Sequence, residues 1–170
     1  MNSIPRFVLL NALVFQALWW SAVVLRDQAL WLMLGLLALH FYFSPSKSTD
    51  LVILPLALLG WLVDGEMVAL GILQFQSIHA LPWYLLLLWI GLVWSFNHSL
   101  AWLQGVPWWG LSLIGAVAGG LSYYAAQRLG ALHWGLEPWL SITVIAAQWA
   151  LLLPGQLLAL PYLKRRLAHV

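Results

Sequence analysis

Six long apolar runs, divided by short polar or Pro/Gly breaks, constrain this chain more than anything else in it. They cover about 7–25, 28–43, 51–74, 82–103, 109–127 and 139–161. A helix rises about 1.5 Å per residue, so about twenty apolar residues cross a hydrocarbon core of about 30 Å. In that solvent every backbone N–H and C=O must be paired internally, which leaves helices or a closed barrel. Runs of this length predict helices. The expected fold is all-α: one domain over residues 1–170, an integral membrane bundle of six transmembrane helices. The breaks "RDQ", "SPSKSTD", "QSIHALP", "QGVPWW" and "RLGALHWGLEP" are short, so consecutive helices are expected to be antiparallel neighbours.

Composition agrees. Hydrophobic residues make up 64% of the chain and charged residues 7%, whereas soluble domains carry roughly 25% charged residues. There is no room for a separate soluble domain. The net charge of +2 does not point to nucleic acid, because three of the seven basic residues, Lys164, Arg165 and Arg166, sit together beside an apolar segment. That placement is an orientation signal, and the expected partners are membrane lipids. Cysteine is absent, which excludes disulfides, thiol catalysis and cysteine-ligated metal. The start, "MNSIPRFVLLNALVFQALWWSAVV", reads as a first span: no small-x-small cleavage site follows, and Trp19-Trp20 ends the run as an interfacial anchor would.

Counting Lys and Arg on alternate sides puts Arg6, Lys47, Lys164, Arg165 and Arg166 on one side and Arg26 and Arg128 on the other. Both termini are therefore expected in the cytoplasm. Three helices plus three would permit an inverted repeat. Asp64 in the third span, however, has no acidic counterpart in the sixth, which offers only Gln148, and no internal repeat is evident. Most of the 13 tryptophans, among them Trp31, Trp83, Trp102, Trp108, Trp109, Trp134 and Trp139, fall near span ends, where indoles favour the headgroup layer. Trp61, Trp89, Trp94 and Trp149 fall deeper, where packing and a ligand cavity are both open readings.

The stretch "WLVDGEMVALG" places two acids inside an apolar run. Asp64 and Glu66 are two positions apart and point to nearly opposite sides of a helix, so they form no carboxylate pair. Asp64 shares its stripe with Ala57, Gly60, Trp61 and Gly71, a small-residue face suited to close helix approach. Glu66 lies among leucines. It is expected to snorkel, or the helix breaks at Gly65. In the fourth span His98 lies with Gly91, Trp94, Ser95, Ala101 and Trp102, and Asn97 is a candidate interhelical partner. The fifth span carries Gly115, Gly119 and Gly120 as packing positions, with Tyr123, Tyr124, Gln127 and Arg128 at its far end. Depth then sorts two polar clusters. Asp64, Tyr123, Tyr124, Gln127 and Arg128 fall in the non-cytoplasmic half, with an Asp64–Arg128 ion pair open. Asn11, His40, Asn97 and His98 fall in the cytoplasmic half. The five histidines are scattered, with no metal-binding spacing, Walker loop, dinucleotide glycine motif or nucleophile elbow. No metal site and no cofactor is assigned.

The runs "NALVFQALWW", "DGEMVALGILQF", "PWYLLLLWIGLVWSFNHSLAWL" and "GAVAGGLSYYAAQRLGAL" resemble the bacterial membrane-protein family catalogued as domain of unknown function 2878, over nearly the whole chain. Where the family's pattern has a proline after the Gly-Gly pair, this chain has Leu121. The resemblance implies a multi-pass protein of Gram-negative inner membranes and points weakly to membrane lipids. The matching positions are Asn11, Gln16, Asp64, His98, Ser99, Trp102, Tyr123 and Arg128.

Three functions compete. The first is a small enzyme or accessory acting on membrane lipid or another lipid-soluble substrate, with Asp64 or His98 as acid or base. The second is a transporter or channel subunit using intramembrane Asp, His and Arg. The third is a structural or Trp-rich sensory membrane protein. A homo-oligomer or a membrane-enzyme partner fits each of them.

Overall fold

The computed structural model describes residues 3–167, with side chains over 6–165; the side chain of Arg166 lies outside the described residues. The chain is almost entirely helical. Helix α1 covers Ser3–Val24, α2 Leu30–Phe43, α3 Lys47–Val52, α4 Leu54–Ala69, α5 Trp83–Asn97, α6 Trp108–Arg128 and α7 Pro138–Leu167. Three stretches, Arg6–Val24, Lys47–Ala69 and Pro138–Arg165, are long and apolar enough to cross a membrane, and α5 is apolar but shorter.

Local chemistry explains where helices depart from the expected runs. The third run divides at Ile53 because Pro55, in the first turn of α4, brings no N–H and is tolerated only at a helix start. The helix runs unbroken through Gly65 and leaves Glu66 exposed, so the alternative of a break at Gly65 is discarded. The fourth run ends as an α-helix at Asn97 and resumes as a 3-10 turn over Ala101–Gly105. His98 is therefore a capping residue and not a helix-face residue.

The all-α expectation missed one small feature. Leu73–Phe75 (β1) and Leu132–Trp134 (β2) pair antiparallel, with Gln74 opposite His133. Each strand follows a helix that ends the same way. Gly71 and Gly130 take φ of +70° and +75°, and the next residue's N–H returns to a carbonyl five residues back, Ile72 to Met67 and Ala131 to Ala126. This closure needs glycine in the left-handed region.

These matched ends disclose an internal repeat. Leu70-Gly71-Ile72-Leu73-Gln74-Phe75 is echoed by Leu129-Gly130-Ala131-Leu132-His133-Trp134, at the same offset of 59 that separates Asp64 from Tyr123. Under that offset Leu73 corresponds to Leu132 and Phe75 to Trp134. The observed pairs Leu73 with Trp134 and Phe75 with Leu132 are therefore symmetric about Gln74 and His133. Gly60 corresponds to Gly119; a Cβ on the first would overlap the Trp89 ring, and on the second the Trp149 ring. Trp89 and Trp149 stack on each other, 5.1 Å between centroids and 10° between planes. The units α4–β1–α5 and α6–β2–α7 thus repeat in the same direction, which replaces the reading that the chain contains no repeat.

One apolar core runs through Leu18, Met33, Ile53, Val93, Phe96, Leu132, Ile145 and Leu160. Helix α5 sits centrally against α1, α2 and α4, while α6 packs mainly on α7, with Gly115 and Gly119 against the Trp149 backbone and ring. Outward faces are apolar too, including Leu9, Leu13, Leu113, Val117, Leu121, Leu151 and Leu158. So continuous an apolar exterior is unfavourable in water and stable against lipid.

Candidate functional site

Among the described residues, two buried polar clusters lie at opposite ends of the core. The first is built where α4, α5 and α6 meet. Asp64 is 0% exposed; its Oδ1 accepts from the Tyr123 hydroxyl at 2.5 Å and its Oδ2 from Trp89 Nε1 at 2.6 Å. The buried Gln148 amide lies close enough to act on the carboxylate, but with no hydrogen bond of good geometry. A buried carboxylate needs such donors, since an unpaired polar group in a low-dielectric interior is costly. The Asp64–Arg128 pair left open above does not form: Arg128 is exposed, and Asp64 is occupied by Tyr123 and Trp89. Tyr124 is exposed and Gln127 half-buried, so neither joins Asp64.

Next to this cluster, α1 and α6 stand apart and leave a cavity of about 450 Å³. Its walls are mostly apolar side chains of α1, α5 and α6, with Trp149 of α7; buried Trp89 and Tyr123, which also line it, are the residues that bond Asp64. Gln16, Trp20 and Ala118, all exposed, stand at its mouth. The mouth is flanked by exposed Leu13 on α1 and by Val117 and Leu121 on α6, so it faces sideways, out of the bundle. Trp19 Nε1 donates across it to Ser122 Oγ at 2.9 Å. Two groups on residues of the wall, the Tyr84 hydroxyl and Trp149 Nε1, are buried without partners.

The second cluster gathers Asn11, His40, Asn97 and His98, as depth along the helices suggested, around a residue the sequence reading left in a break. Asp50, on the short α3, is 0% exposed. It accepts from the Ser44 hydroxyl and from Asn97 Nδ2 at 3.0 Å. His98 Nε2 lies 2.9 Å from its Oδ1 and His40 Nε2 3.4 Å from its Oδ2. Aromatic packing holds the rings: Trp94 stacks on His40 at 4.5 Å and donates its Nε1 to the Asp50 carbonyl at 2.9 Å. Phe7 meets both imidazoles edge-on.

Hydrogen bonding orients the side chains here. Ser99 N–H donates to Asn11 Oδ1 at 3.1 Å, so the Asn11 amide turns its Nδ2 toward His40 Nδ1, 3.3 Å away. When His40 accepts at Nδ1, the ring proton sits on Nε2, facing Asp50. His98 is placed to donate its Nε2–H to the same carboxylate.

The sequence reading missed Asp50 and Ser44; Trp89 and Trp149, for which packing and a ligand cavity were both open, line the cavity. Nothing in the spacing points to Asp50, which lies 48 residues from His98. Gln16 belongs to the cavity mouth and to neither cluster. A Cβ added at Gly120 would make only ordinary contact with Ala146.

No curated protein and no solved structure shows significant similarity to the chain. A family model does match, covering residues 8–155 under the description Protein of unknown function (DUF2878), and the chain belongs to that family.

Proposed function

We propose that this is a multi-pass protein of a bacterial inner membrane that takes the acyl chain of a membrane lipid into the cavity between α1, α5 and α6, as a small enzyme or as an accessory to one. Six helices would then cross the bilayer with both termini cytoplasmic. Arg6, Lys47 and Lys164 lie at the end of the bundle near Asp50, and Arg26 and Arg128 at the end carrying the β-ribbon. This is the asymmetry expected of cytoplasmic and outer faces.

The observation that carries the reading is the sideways-facing apolar cavity backed by Tyr123 and Asp64. Its volume lies within the roughly 300–1,000 Å³ of small-molecule sites, and its mouth opens where Leu13, Val117 and Leu121 would meet lipid. Asp64 is sealed behind Trp89 and Tyr123, so its part is to orient Tyr123, whose side chain meets the ligand. Direct acid–base chemistry by Asp64 would require one of those rings to move.

Leu92 lines the cavity on α5, the central helix. Replacing it with a photo-reactive benzoylphenylalanine and irradiating native membranes should yield a covalent lipid adduct. Cross-links running only to α1 or α6 of the same chain would overturn the proposal.

A further inference from the structure

The geometry points to a second, separate site: His40, Asp50 and His98 bind one first-row divalent transition metal ion, zinc or ferrous iron in kind. Two imidazoles and a carboxylate arrive from the end of α2, from α3 and from the cap of α5, and their ligand atoms all lie within 4.8 Å of one another. The Asp50 oxygens are 2.9 Å from His98 Nε2 and 3.4 Å from His40 Nε2. These two are separations of neighbouring ligands around an ion bound at about 2.0–2.2 Å, and the full spread of up to 4.8 Å requires the imidazoles to draw in slightly on binding.

The cluster without an ion is not closed. His40 Nε2 is buried and has no hydrogen-bond partner of acceptable geometry, although it is aimed at Asp50. An ion at the centre gives it one. The surroundings are those of a held site: Ser44 and Asn97 bond the carboxylate, and Trp94 and Phe7 immobilise the rings. Such outer partners orient ligands in metal centres. Two nitrogens and one carboxylate favour zinc or iron over calcium or magnesium, which take oxygen ligands. Three protein ligands leave at least one position for water or another small molecule.

One local arrangement opposes the ion. Coordination through Nε2 moves the His40 proton to Nδ1, where Asn11 now presents a donor. The Asn11 side chain must turn away or present its oxygen. One re-paired hydrogen bond is a small loss beside three metal–ligand bonds, and it yields a specific expectation: Asn11→Asp, which places an acceptor at Nδ1, strengthens binding. The inference does not depend on the lipid cavity.

The test uses the full chain in detergent, stripped of metal and titrated with Co(II), whose visible absorption reports nitrogen and oxygen ligation. The expected result is one Co(II) per chain, at least tenfold weaker binding in His40→Gln and His98→Gln, and tighter binding in Asn11→Asp. Elemental analysis of protein purified with and without oxygen then separates zinc from iron. Gln can still donate to Asp50 in the His98 variant, so the fold is retained; should a variant not fold, the wild type's thermal shift with Zn(II) against Mg(II) decides. Wild type binding Co(II) no more tightly than the Gln variants, or showing no Zn(II)-specific thermal shift, overturns the inference.

Discussion

Asp64 and Tyr123 occupy corresponding positions of an internal repeat and hydrogen-bond directly to each other, 2.5 Å apart and 59 residues distant in sequence. The contact ties α4 to α6 at the back of the cavity. Removing the acceptor strands two donors, Tyr123 and Trp89. Asp64→Ala should destabilise the protein by about 1–3 kcal/mol per stranded group. Asp64→Asn should cost less, because its oxygen can accept from Trp89 while its amide donates to the tyrosine oxygen. Thermal melts of the three proteins in one detergent check the order, and a Tyr123→Phe double-mutant cycle should show that the two sites are coupled.

The glycines of the repeat are close-approach positions. A Cβ at Gly60 or Gly119 would overlap the ring of Trp89 or Trp149. Gly60→Ala and Gly119→Ala should each cost about 1–3 kcal/mol, the usual cost of overpacking. At Gly35 nothing lies within 4 Å of an added Cβ, so Gly35→Ala should be neutral or mildly stabilising by helix propensity. The same melts distinguish these outcomes.

Topology is testable cleanly because the chain has no cysteine. Ser48 and Ala80 are exposed, at opposite ends of the bundle. In intact spheroplasts a membrane-impermeant maleimide should label Ala80→Cys and spare Ser48→Cys, with the pattern reversed in inverted vesicles. Labelling of both from one side would contradict an even, six-helix crossing.

Much of the site was legible from periodicity and depth. Helix-face reasoning separated Asp64 from Glu66, and counting rise along antiparallel helices put Asn11, His40, Asn97 and His98 at one level. Asp50 escaped because it lies in a polar break, where a short helix returns it to the core, and ligands 48 residues apart leave no local pattern. The repeat escaped for another reason. An inverted three-plus-three arrangement demands a like residue for Asp64, whereas these units run in the same direction and pair unlike residues, an acid with a tyrosine. The hexapeptides beginning Leu70 and Leu129 carried the signal, and their glycines and alternating leucines are what the helix closures and ribbon require.

The central claim is that the cavity holds lipid, and the stoichiometry of retained lipid tests it most directly. Ala118 lies exposed at the mouth, where Ala118→Trp should fill the opening without disturbing the core. Native mass spectrometry after extensive detergent exchange should find one lipid retained per wild-type chain and none on Ala118→Trp at equal thermal stability. Equal lipid content in the two proteins, or none in either, would contradict the account.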